Sequence, residues 1–130
     1  EYKTLANYKL QYLALRDKLH EFPGTKFILF TGAALVQSSI REDEASRARE
    51  FFKWVIEEWD TPDDNIYLWD LFQLQTEGGL YFKDEYAVSP HDSHPNEYYA
   101  GKLSKLLANR IVDVIEADGK RTTLTGETIH

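Results

Sequence analysis

Two short apolar runs set the limits on what this chain can fold into. Lys26-Phe27-Ile28-Leu29-Phe30-Thr31 and Ile66-Tyr67-Leu68-Trp69 each hold four consecutive large apolar residues. Such a run, without polar alternation, reads as a strand buried on both faces, the kind found in parallel sheets. Helical periodicity surrounds both runs. Leu5, Tyr8, Tyr12, Leu15 and Leu19 recur at spacings of three and four, and Pro23-Gly24 stops that segment. Ala45, Ala48, Phe52, Val55 and Trp59 repeat the pattern between the runs, behind the acidic start Glu42-Asp43-Glu44. Leu103, Leu107, Ile111, Val114 and Ile115 mark a third helix, with Asn96 as N-cap and Asp118-Gly119 as the stop. Leu80 to Val88 reads as an irregular loop. The order helix, strand, helix, strand, long loop, helix predicts an α/β fold with a parallel sheet. Residues 1–119 would form a single α/β domain or part of one, and 120–130 a polar, frayed tail. Two strands are too few for a stable parallel sheet. A homo-oligomer, or a partner chain or further segment that completes the sheet, is therefore expected.

Size and composition narrow the function. A chain of 130 residues is long enough for one domain with one core. Three Trp, eight Tyr and seven Phe give it ample material for burial. The net charge of −7 argues against general nucleic-acid or anionic-membrane binding, which needs a Lys/Arg surplus. No Cys means no disulfide, no thiolate nucleophile and no Cys-ligated metal. It leaves the compartment open, with a slight preference for the cytoplasm. No apolar run reaches the ~20 residues of a membrane-spanning helix. The chain opens Glu1-Tyr2-Lys3 with no Met and no visible signal peptide, so a processed terminus and a fragment are both compatible with it.

Chemistry concentrates in Ser89-Pro90-His91-Asp92-Ser93-His94-Pro95-Asn96. Pro95 restricts the residue before it and holds His94 stiffly ahead of a helix. Asp92, two residues earlier, could hold one imidazole nitrogen, fix the tautomer and leave the other nitrogen to act as a base. A surface loop in which His and Asp merely cap the helix fits the same spacing. A metal site from His91, Asp92 and His94 is a third reading, but no fourth ligand is evident. Thr31 and Gly32, at the exit of the first strand, are candidates for a site wall, because ligands of α/β sheets gather beyond the carboxyl ends of strands. A simple strand exit is the plainer alternative. Tyr86, in the aromatic group with Tyr81, Phe82, Tyr98 and Tyr99, could line an apolar acyl pocket or close the core. Ser38, Ser39, Ser89 and Ser93 lie outside any Gly-x-Ser-x-Gly frame, and Gly78-Gly79 is a turn signal rather than a phosphate cradle.

Asp92-Ser93-His94-Pro95-Asn96 and the apolar helix behind it resemble the last block of the SGNH/GDSL hydrolases. Asn65 to Leu71 is similar to that family's last core strand and its exit, and Lys26 to Thr31 to the strand before it. The resemblance spans most of this chain but only the C-terminal half of the family's domain. It implies part of a flavodoxin-like three-layer α/β/α sandwich with a parallel sheet. It also implies hydrolysis of a small ester without metal or cofactor, with His94 as general base and acid and Asp92 orienting it. Two departures stand out. The family carries its Asp three residues before the His, where this chain has His91. Its Gly-Asp-Ser nucleophile block and its Gly-x-Asn-Asp oxyanion block have no counterpart here. The serine would therefore come from a further N-terminal segment or a partner. The alternative is a non-catalytic α/β binding or interaction module, a degenerate relative of that family.

Overall fold

The computed structural model describes residues 4–130. Helix α1 (Leu5–His20) starts at Thr4, whose hydroxyl oxygen accepts the Asn7 N–H at 3.1 Å. Strand β1 (Phe27–Phe30) follows the Pro23-Gly24 turn. A 3-10 turn, Gln37–Ser39, leads to helix α2 (Glu42–Trp54), whose first turn carries three acidic residues against the helix dipole. One wider π-helical turn, Val55–Trp59, extends it. Strand β2 (Ile66–Trp69) runs into the short helix α3 (Leu71–Thr76), capped by Asp70. Strands β3 (Ala87–Ser89) and β4 (Asp92–Pro95) form a hairpin, and helix α4 (Glu97–Ala117) follows directly.

The expected α/β character and parallel pairing are present. Phe27 lies opposite Ile66, and Phe30 opposite Trp69. Alternation along the strands sends Leu29, Ile66 and Leu68 to one side. There they join Phe51, Val55 and Trp59 of α2 and its extension, with Leu5, Tyr12 and Leu19 of α1 packed against them. Leu68 is fully buried, which contributes about 2 kcal/mol over an exposed leucine. A second cluster, Ala34, Val36, Phe72, Phe82, Ala87 and Tyr99, ties the exit of β1 to α3 and the hairpin.

Four expectations need correction. Strand β1 is half-buried rather than covered on both faces, and Phe30 is 43% exposed. Helices α1 and α2 pack on its Leu29 side, and its only strand neighbour among the described residues is β2, so its other edge stays open. Leu80 to Val88 is not wholly irregular, since a 3-10 turn (Asp84–Tyr86) and β3 lie within it. In α4 the buried positions are Tyr99, Arg110, Asp113 and Val114, while Ile111 and Ile115 of the expected stripe are exposed. Charged groups displace the apolar stripe there because they hold the chain end. Arg110 donates to the Leu68 and Gly119 carbonyls and to Thr122. Asp113 accepts from the Arg121 and Thr122 backbone N–H groups and from the Thr122 hydroxyl. Burial alone would raise the Asp113 pKa, but these hydrogen bonds hold it below the ordinary range. Residues 120–130 are therefore not frayed. Thr122 bridges Thr128, Trp69 Nε1 donates to the Thr125 carbonyl at 3.1 Å, and the Asp70 N–H donates to the Leu124 carbonyl at 2.8 Å.

Candidate active site

The β3–β4 hairpin is the Ser89–Asn96 stretch in folded form. Pro90 and His91 make its turn, Ser89 pairs with Asp92, and Ala87 pairs with Pro95. The Asp92 carboxylate curls forward over two residues, as Asx turns do, and accepts the His94 backbone N–H at 2.9 Å. The same oxygen lies 2.6 Å from His94 Nδ1. The backbone N–H first, and the ring second, hold the Asp92 carboxyl below its ordinary range. An ionised carboxylate at Nδ1 keeps the ring hydrogen there and leaves Nε2 as the acceptor. The His94 side chain is 87% exposed, and Nε2 meets no hydrogen-bonding partner among the described residues. The shortened Asp–His spacing is thus compatible with an orienting contact.

Three links seat the hairpin on the segment that leaves β1. Ser93 Oγ accepts the Val36 N–H at 3.1 Å. The Ser38 hydroxyl donates to the Pro90 carbonyl at 2.7 Å, and His91 Nδ1 lies 3.1 Å from Ser38 Oγ. Asn96 fixes the exit into α4. Its side-chain oxygen accepts the Tyr99 N–H at 2.9 Å, and its amide nitrogen donates to the Glu85 carbonyl at 3.0 Å. Ser38, Ser89 and Ser93 are each engaged in such local bonds, and no serine among the described residues is hydrogen-bonded to His94. No group of three or more His, Asp or Glu among the described residues converges on a metal position. His91 turns to Ser38, and Asp92 spends one oxygen on His94, so the proposed metal trio does not form a ligand set.

Thr31 is 1% exposed, its hydroxyl donates to Asp70 at 2.7 Å, and it accepts the Phe72 N–H at 3.0 Å. It joins the exits of β1 and β2. Gly32 has φ +87°, and a Cβ there would lie 3.3 Å from Gln75 Oε1, which itself accepts the Ala34 N–H at 2.7 Å. Gly32 also borders a cleft of about 360 Å³ walled by Tyr8, Tyr12, Phe51 and Phe52, with Arg47 among its lining residues. His94 and Asp92 do not line that cleft. Tyr86 stacks on Tyr99 with ring centroids 4.0 Å apart, and its hydroxyl donates to Glu77. That bond to a carboxylate, then partial desolvation, pushes the Tyr86 phenol up to about 12. Thr31 and Gly32 therefore sit together at the strand exit, His94 and Asp92 together on the hairpin, and Tyr86 beside the hairpin base.

Sequence reasoning missed Glu77 and the Ser38–His91 link. Their partners lie 9 and 53 residues away, with no periodic or motif signal between them. No family model matches the chain, and neither a curated protein nor a solved structure matches it.

Proposed function

We propose that this chain supplies the base-and-acid corner of an SGNH-type serine ester hydrolase built as a flavodoxin-like three-layer sandwich. The nucleophilic serine and the oxyanion donors belong to a further segment or a partner chain. One observation carries the reading: Asp92 grips His94 Nδ1 at 2.6 Å while Nε2 faces open space. In that role Nε2 takes the proton of the serine hydroxyl as its oxygen attacks the ester carbonyl. It then returns that proton to the alkoxide that leaves. Water enters, gives its proton to Nε2, and releases the acid as the serine recovers its hydrogen. Asp92 holds the ring in the tautomer that this sequence of transfers needs. Ser93 Oγ, which accepts the Val36 N–H, ties the hairpin that carries His94 to the segment leaving β1.

The test uses the native polypeptide or complex that carries this sequence, assayed on short-chain nitrophenyl esters. His94→Ala should lower kcat by about 10²–10⁴-fold, the usual contribution of general acid–base catalysis. Unchanged turnover in a complex that does hydrolyse the esters ends the assignment. The second reading, a non-catalytic interaction module, draws on the absence of any serine at His94 among the described residues. It predicts no ester turnover in any native form.

A further inference from the structure

The two edges of the parallel pair differ. In β1 the Phe27 N–H donates to the Asn65 carbonyl at 2.9 Å and the Thr31 N–H to the Trp69 carbonyl at 3.1 Å. The odd-numbered residues of β1 therefore face β2, and the backbone groups of Ile28 and Phe30 point away from it. No partner from elsewhere among the described residues reaches those groups. The far edge of β2 is closed instead. Ile66 N–H donates to Asp64, the Leu68 carbonyl accepts from Arg110 at 2.9 Å, and the Asp70 N–H donates to the Leu124 carbonyl. One edge ends the sheet, and the other is bare.

Handedness says what belongs on the bare edge. Helix α2 crosses over from β1 to β2, and α1 feeds β1. Both helices pack into the same cluster with Leu29, Ile66 and Leu68, so they lie on one side of the sheet. Crossovers between parallel strands are right-handed in nearly all proteins. Two successive right-handed crossovers on one side advance in one direction. A strand that leads into α1 must therefore lie across β1 from β2, parallel to both, against Ile28 and Phe30. Helix α1 carries a second apolar stripe for such an addition to cover: Leu10 is 66% exposed and Leu13 37%.

We propose that the bare edge of β1 takes a parallel strand whose polypeptide runs directly into α1. This rests on and deepens the sandwich architecture proposed above, and it stands apart from the catalytic step, because a strand can dock here whether or not it brings a serine. Its carboxyl end would open at the same end of the sheet as Thr31 and Asp70. The experiment is amide hydrogen exchange at Ile28 and Phe30, measured in the 130-residue chain and in the native polypeptide that carries it, with light scattering over a concentration series. The result expected is exchange at least ~100-fold slower in the native polypeptide, with both amides fast in the shorter chain at every concentration. Three results overturn the proposal. They are fast exchange in both forms, protection in the shorter chain that rises with concentration (a second copy on the edge), and a native polypeptide with no strand-forming segment ahead of Thr4. None of these readouts involves ester turnover, so this inference and the catalytic one fail separately.

Discussion

Thr31 shows how a residue at a site-like position can be committed to structure. Its hydroxyl is at once donor to Asp70 and acceptor for the Phe72 N–H, and the side chain is buried. Thr31→Val keeps the shape but leaves the Phe72 N–H without a partner. Urea unfolding should show a loss of about 1–3 kcal/mol, while Thr31→Ser stays close to wild type. A wild-type stability for Thr31→Val would release the residue for a role toward ligand. The residue type at the strand exit was legible in the sequence. Its occupation was not, since Asp70 and Phe72 lie 39 and 41 positions away. His94 is the reverse case. Its partner is two residues off, so spacing alone brought the imidazole and the carboxylate together.

Among elements, the helices with one wet and one dry side were the easiest to read, and the caps of α4 were read with them. Asn96 and the Asp118-Gly119 stop stand where capping chemistry puts them, with Asp118 at φ +54° and Gly119 at φ +74°. The periodic argument found helix α4 but not its buried side, which mixes Val114 with Arg110 and Asp113. Those charges are buried only because the final turn brings Thr122 and its neighbours to satisfy them, a contact that local pattern does not encode. The same turn makes a sharp prediction. Gly126 has φ +91°, and a Cβ there would run into the Leu106 carbonyl of α4. Gly126→Ala should therefore cost about 2–3 kcal/mol in thermal or urea unfolding, although the residue lies near the end of the chain. An unaffected midpoint would mean that the turn does not dock on α4 in solution.

Asp60 ties the stability of the whole molecule to pH. Burial first, then the nearby Asp64 charge, raises the Asp60 carboxyl to about 6, and Arg110 opposes the shift. The folded chain thus holds a proton on Asp60 that the unfolded chain has already released. Stability from this group falls as pH climbs from the ordinary carboxylate value to about 6, and levels off above it. Asp60→Asn should flatten that slope and, after allowance for solvent screening at a half-buried site, stabilise the fold at pH 7 by roughly 1–2 kcal/mol. Denaturant midpoints at several pH values from 4 to 7 test this, and parallel curves for the two proteins would refute it. The sheet itself was only half legible. The two strand runs announced a parallel pair, but nothing in their residues told which strand had company on both sides.

Arg110 and the final turn sit across the far edge of β2, and this gives the sheet a polarity of growth. A lamina with two bare margins can add units indefinitely and become a fibre. One with a single bare margin behaves as a terminator: it caps whatever row of strands it joins and stops there. A row of strands joined at β1 therefore ends at β2, where a further strand would find its pairing groups already taken.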